Sequence, residues 1–229
     1  MQFTPRLVPS CPSVKESDAV PQTFEANWRV VSPALHGALV DLRAIEMTDA
    51  PALYPLLSAD EVSRFGTAPP ASLEAFEQFV AWSCEQRREG RHLCFAIVPH
   101  DVQSAVGILQ LRQLEPRFRT TEWGFAIGSA FWGSGIFMDS ARLAIDFAFE
   151  TLRAHRLEAR AAITNGRGTG ALLKLGAVQE GLLRRAFLRD GQYIDQALWS
   201  ILDEDWRKAR IVSHPDMSAH SSDLFSQVD

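Results

Sequence analysis

Between residues 121 and 163 the hydrophobic period of the chain changes twice. Residues 121–127 (TEWGFAI) alternate with the period of a strand. The bend Ala130-Phe-Trp-Gly-Ser-Gly135 follows. Then Ile136, Ser140, Ala141, Ala144, Ile145, Ala148, Phe149 and Leu152 form one broad apolar stripe at 3.6-residue spacing, which predicts a helix over 136–154. Residues 157–163 alternate again. Strand, helix, strand in that order needs a crossover, with the two strands parallel and the helix lying on one face of the sheet.

The bend between the first strand and the helix carries two glycines, Gly133 and Gly135. Lacking Cβ atoms, they let the backbone approach an anion closely, and the helix start adds about half a positive charge. A pyrophosphate is the natural ligand of such a device; a tight turn that needs small residues is the plain alternative. Two other glycine loops fit poorly. The triphosphatase pattern GxxxxGK[ST] is absent. A dinucleotide fingerprint needs a third glycine where Met138 stands and an acid at the end of the next strand, whereas Glu158 lies near its start.

The flanking segments extend the pattern. Strands are read at 39–45, 93–98, 105–111, 182–188 and 193–202, the last two joined by Asp190-Gly191, a strong hairpin signal. Helices are read from an Asp49 cap to Leu57, from Ser72 to Arg87, and from Thr169 to Leu175, where Gly176 stops the last. Antiparallel strands come first and the β-α-β crossover after them. The fold class is therefore α/β (α+β): a mixed, mostly antiparallel central sheet flanked by helices. Residues 1–35 read as an N-terminal extension, 36–206 as one domain, and 207–229 as a flexible C-terminal tail.

Composition narrows the function. Of 229 residues, 46% are hydrophobic and 22% charged, as in an ordinary globule. The net charge of −5 argues against a nucleic-acid partner. No run reaches the ~20 apolar residues of a membrane span, and the N-terminus lacks a leader's apolar region. Three cysteines, Cys11, Cys84 and Cys94, without CxxC spacing, read as free thiols. A cytoplasmic protein without a metal is the expectation.

Five motifs in order resemble the GNAT acetyltransferases, specifically the Rim type that acetylates N-terminal alanine of ribosomal proteins. Val40-Asp-Leu-Arg-Ala-Ile with Asp49-Ala50 resembles the opening strand and helix, Glu122-Trp-Gly-Phe the central strand, and Trp132-Gly-Ser-Gly the acyl-CoA loop. Asn165 followed by Lys174-Leu-Gly176 is similar to the next helix. Glu180-Gly181 with Leu183-Arg184, and Asp190-Gly191 with Tyr193 and Asp195, are similar to the closing hairpin. The resemblance implies acetyl-CoA as cosubstrate and an amine acceptor, a peptide N-terminus or a small molecule. It implies that backbone N–H groups of Trp132, Gly133, Ser134, Gly135, Ile136 and Phe137 hold the pyrophosphate. It further implies that Phe125, Ala126 and Ile127 pair with the pantetheine arm where their strand leaves strand 157–163, that Asn165 bonds to the same arm with Gly168 also in the cofactor site, and that Glu122 is the general base.

The chain departs from the pattern at four positions. Ala130 stands for Gln or Arg of the broader family, Gly168 for a serine suspected of protonating the leaving thiolate, Ala177 for Phe, and Trp199 for Tyr. Gly168 supports the alternative of a non-catalytic acyl-CoA-binding or regulatory module of the same fold. His155, Arg184, Arg185 and Asp195 read as structural or solvated; Trp123, Trp132 and Trp199 read as core or pocket wall, not stacking platforms. The hairpin edges offer a surface for a homodimer.

Overall fold

In a computed structural model that describes residues 27–31, 33–66 and 70–213, eight strands share one sheet. In chain order the elements are helix α1 (Asn27–Val30), strands β1 (Ala34–His36) and β2 (Val40–Ala44), helices α2 (Ala50–Ser58), α3 (Asp60–Ser63) and α4 (Leu73–Arg88), strands β3 (His92–Pro99), β4 (Gly107–Gln113) and β5 (Thr120–Ile127), helix α5 (Ile136–Asp146), strand β6 (Arg156–Ala162), helix α6 (Gly166–Lys174), strands β7 (Val178–Arg189) and β8 (Gln192–Leu202), and helix α7 (Asp203–Ser213). The spatial order is β1-β2-β3-β4-β5-β6-β8-β7. Neighbours are antiparallel except β5 and β6, the parallel pair that the crossover demanded.

The sheet buries both faces. On one, α5 sets Ala141, Ala144 and Ile145 against Leu109, Trp123 and Leu157. The small residues of its stripe let the helix lie close, and Ser140 satisfies its hydroxyl by donating to Ile136 O at 2.8 Å. On the other, α2 and α4 set Leu53, Phe76 and Val80 against Cys94, Ala96 and Ile108. Cys84 and Cys94 are free thiols, and burial pushes the Cys94 thiol pKa well up; Cys11 lies outside the described residues.

Local chemistry explains most joints. Asp190 (φ 49) and Gly191 (φ 76) are both left-handed, as the tight hairpin turn requires. Gly176 (φ 78) ends α6, with Gly176 N–H on Leu173 O and Ala177 N–H on Leu172 O, a Schellman closure. Ser72 caps α4 by accepting from Ala75 N–H at 3.1 Å.

Four expectations change. Asp49 has helical dihedrals and makes no cap to α2; Arg43 takes its carboxylate at 2.7 and 2.6 Å, and Glu46 N–H at 2.9 Å. The helix after the bend is α-helical only to Asp146, and a π-helical turn covers Phe147–Thr151. Phe147, Ala148 and Phe149 are all buried there, a wider arc than one α-helical stripe presents. Helix α6 begins at Gly166 rather than Thr169. The stretch read as a tail begins inside α7, where Trp206 Nε1 donates to Asp146 Oδ1 at 2.7 Å. Residues 1–26 and 214–229, most of the expected extension and tail, lie outside the described residues. No described helix is long and apolar enough to cross a membrane.

Candidate functional site

The parallel ladder is short. Thr120, Thr121 and Glu122 pair with Arg156, Leu157 and Glu158. Both strands continue, to Ile127 and Ala162, but their ladder ends at the Glu122–Glu158 pair. Each strand then leads into a helix, so the N-termini of α5 and α6 border the same gap at the carboxyl ends of the parallel strands. Open α/β sheets receive ligands in that position. Beyond the last pair stand half-buried Phe125 and Ala126 and buried Ile127. Gly128 N–H bonds to Val106 O on the β4 side at 2.9 Å. Strand alternation therefore turns the Ile127 N–H toward the gap. The Ile127 carbonyl accepts from Trp132 Nε1 at 3.0 Å.

The bend is a single 3-10 turn, Ser129–Phe131, followed by extended Trp132 and two left-handed glycines. Gly133 has φ 80, and a Cβ there meets nothing within 4 Å; the space beside it is open. Gly135 (φ 89) is the N-cap of α5. Ser134 Oγ donates to Phe131 O at 2.7 Å, closing the bend. Ile136 is buried, and the Phe137 ring lies 4.1 Å from that of Phe125. Two of the amides expected to face a ligand are taken within the bend, Trp132 N–H by Ser129 O at 3.1 Å and Ile136 N–H by Ser134 Oγ at 3.4 Å, which leaves those of Gly133, Ser134, Gly135 and Phe137 at the helix start. Asp139, in the first turn, has its carboxylate occupied by Leu39 N–H at 2.7 Å and Val40 N–H at 3.2 Å.

At the head of α6, Asn165 Oδ1 caps the helix by accepting from Gly168 N–H at 2.9 Å. A Cβ on residue 168 would lie 2.6 Å from Asn165 Nδ2, so the glycine makes room for this folded-back side chain. The cap thus engages the side-chain oxygen of Asn165, and Nδ2 is the atom that lies nearest the Gly168 position. Trp132 corrects an expectation. It is a stacking platform, with the Arg167 guanidinium carbon 4.5 Å from its ring centroid.

Glu122 is only 5% exposed. Arg112, its direct cross-strand partner, donates Nε to Oε2 at 2.8 Å and also bonds through Nη2. Arg160 Nε stands 3.8 Å from Oε1, beyond hydrogen-bond reach. Ser129 Oγ, at the start of the bend, donates to Glu61 Oε1 at 2.7 Å. That hydroxyl holds the Glu61 carboxyl below its ordinary pKa. Glu61 also lines a cavity of about 480 Å³ with Asp60, Arg64, Arg189 and Asp190. Among the described residues no cluster of His, Cys, Asp or Glu could hold a metal.

Several plain readings stand. Asp195 Oδ1 accepts from Arg185 N–H at 2.7 Å and so anchors an irregular stretch of β7. Trp123 and Trp199 are buried in the core, and His155 is exposed. Arg112, Arg160 and Arg167 were not anticipated. The first two become visible only once strand register is known; Arg167, two residues after Asn165, had at least a positional hint.

Residues 40–178 match the model of the acetyltransferase (GNAT) domain family. The [Ribosomal protein uS5]-alanine N-acetyltransferase of Escherichia coli is 26% identical over 55% of this chain and 66% of its own. An uncharacterised N-acetyltransferase of Bacillus subtilis, YoaA, is 26% identical over 74% and 97%. Among solved structures, Mycobacterium smegmatis RimJ in complex with CoA-disulfide superimposes with a TM-score of 0.70 over 82% of this chain and 96% of that one, at 24% identity, a likeness of fold. With relatives named N-acetyltransferases and this ladder, bend and helix in place, the chain is an acyltransferase. It belongs to the GNAT acetyltransferase family.

Proposed function

We propose that the protein acetylates a primary amine, using acetyl-CoA, by direct attack of the amine on the thioester. The observation that carries this reading is the parallel ladder ending at Glu122–Glu158 beside the glycine bend that starts α5. The open space over Gly133 and the amides of Gly133, Ser134, Gly135 and Phe137 suit a diphosphate. In this reading the pantetheine arm lies along Phe125, Ala126 and Ile127 and meets Asn165 Nδ2, with Gly168 giving that side chain its room. Acetyl-CoA supplies an activated thioester. The Ile127 N–H, turned into the gap, suits the oxygen on which charge develops, a donor of a kind worth about 3 kcal/mol.

The acceptor must be neutral to attack. An α-amine, with a pKa near 8, is about one-tenth neutral at pH 7; a lysine amine, near 10.4, is less than about one-thousandth neutral. The relative that acts on an N-terminal alanine supports an α-amine acceptor at a peptide end. Glu122 is the proposed proton acceptor. Its Oε2 is held by Arg112, and Oε1, without a hydrogen bond from Arg160, takes the proton through water.

Free-thiol release with acetyl-CoA, measured across peptides, amino acids, a polyamine and aminated antibiotics, tests the reading. An α-amine peptide is expected to turn over fastest. Glu122→Gln is expected to lower turnover by roughly 10²-fold. An unchanged rate in the folded variant would leave Glu122 a purely structural ion pair. Tight CoA binding with no turnover of any amine would instead make the chain an acyl-CoA-binding module.

A further inference from the structure

The proposed cosubstrate is a polyanion, and the bend that faces its diphosphate contains no basic side chain: residues 128–138 read GSAFWGSGIFM. Asp139 follows in the first turn of α5, its charge already used by the Leu39 and Val40 amides. Amides and the helix start supply about half a positive charge. A guanidinium comes from across the gap. Arg167, in the first turn of α6, lies over the Trp132 ring at 4.5 Å.

The platform under it is fixed. Trp132 Nε1 is tied to the Ile127 carbonyl, the last residue of β5. One indole thus joins the end of the central strand, the glycine bend and the head of α6. Among the described residues Arg167 forms no ion pair. Its exposed stacking contact is worth about 0.5–1 kcal/mol, enough to orient the side chain and far too little to neutralise it.

We infer that Arg167 is a ligand of the cosubstrate's diphosphate and that Trp132 is its positioning residue. The inference rests on the acetyl-CoA reading. Arg167 closes the site from the α6 side, opposite the amides of the bend, and its planar fork matches two phosphate oxygens. A ligand without phosphates gains nothing from it.

Calorimetric CoA affinity, and kcat/KM for acetyl-CoA relative to acetyl-pantetheine, test this in the wild type and in Arg167→Ala, Arg167→Lys and Trp132→Leu. In Arg167→Ala the CoA dissociation constant is expected to rise roughly 10- to 100-fold, as for a hydrogen bond to a charged group, and the ratio of the two thioesters to fall by the same factor. Arg167→Lys keeps the charge without the fork and falls between. Trp132→Leu loses part of the same preference. An Arg167→Ala variant that binds CoA within two-fold of the wild type overturns the inference. So does an equal loss with both thioesters, which would mark Arg167 as a packing residue. A wild type that ignores CoA is a different result: it fells the acetyl-CoA reading itself.

Discussion

His92 is buried at the start of β3, with Nδ1 3.3 Å from Ser83 Oγ and Nε2 3.1 Å from Gln110 Oε1. Burial pushes its pKa down to about 4; the Gln110 bond works against that shift and the nearby Arg112 charge adds to it. In the unfolded chain the ring titrates near 6.5. Between those values the unfolded state binds a proton that the folded state refuses. Stability is therefore whole above about pH 6.5 and drains away as pH falls toward 4, by about 3 kcal/mol. Urea unfolding from pH 7 to pH 4 should show this slope, and His92→Gln, which keeps a hydrogen-bonding side chain, should flatten it. An identical slope in the variant would assign the acid sensitivity elsewhere. Glu180, held down to about 2 by Arg156 and then by Ser200, loses its contribution only as pH falls from about 4.5 toward 2. None of these partnerships is visible in the sequence, because Ser83, Gln110 and Arg112 reach His92 from a helix and a neighbouring strand. Glu122 was found for its motif, yet its two arginines came only with the sheet register.

Elements of the fold were legible wherever period and turn chemistry agreed. Strand β5 shows by its alternation, while the stripe of α5 behind Gly135, the Gly176 stop and the Asp190-Gly191 turn combine a clear period with a residue suited to a positive φ. Strand β1 and helices α1 and α3 span at most one helical turn or a three-residue strand, too short for any period to show. Helix α7 has three acids in its first turn and is tied by one aromatic, so its sequence reads as solvated chain. The head of α6 shows how one substitution resets an element. Gly168 leaves space that Asn165 fills as a cap. Gly168→Ser, which restores the residue of the resembling family, sets a Cβ 2.6 Å from Asn165 Nδ2 and must expel that side chain. The cap is worth about 1 kcal/mol, so a comparable loss of stability is expected, with a changed KM for acetyl-CoA as Asn165 turns toward the gap. A variant with unaltered melting and KM would show that the fold-back has no bearing on the cofactor arm.

At the scale of the whole molecule, the sheet is two units, β1–β5 and β6–β8, joined by a parallel ladder of three residue pairs. Helices α5 and α6 begin on opposite sides of that junction, and the Arg167–Trp132 stack crosses it. A ligand lying in the gap touches both units and the folded state alone, so its binding energy adds to folding energy. At a free concentration a hundred times its Kd, that gain is about 2.7 kcal/mol. For a domain of this size, about 2–4 °C per kcal/mol makes the expected rise in Tm roughly 5–11 °C. Differential scanning fluorimetry with CoA, acetyl-CoA, ATP and NADH would read it directly. Both coenzyme A forms should raise Tm, and at a matched concentration Arg167→Ala should rise less, because the same excess over Kd is no longer reached. Equal shifts with all four ligands would mean that the gap selects a nucleotide in general. No shift with any of them, at concentrations well above those of a working acetyltransferase, would mean that the gap between the two units takes no such ligand.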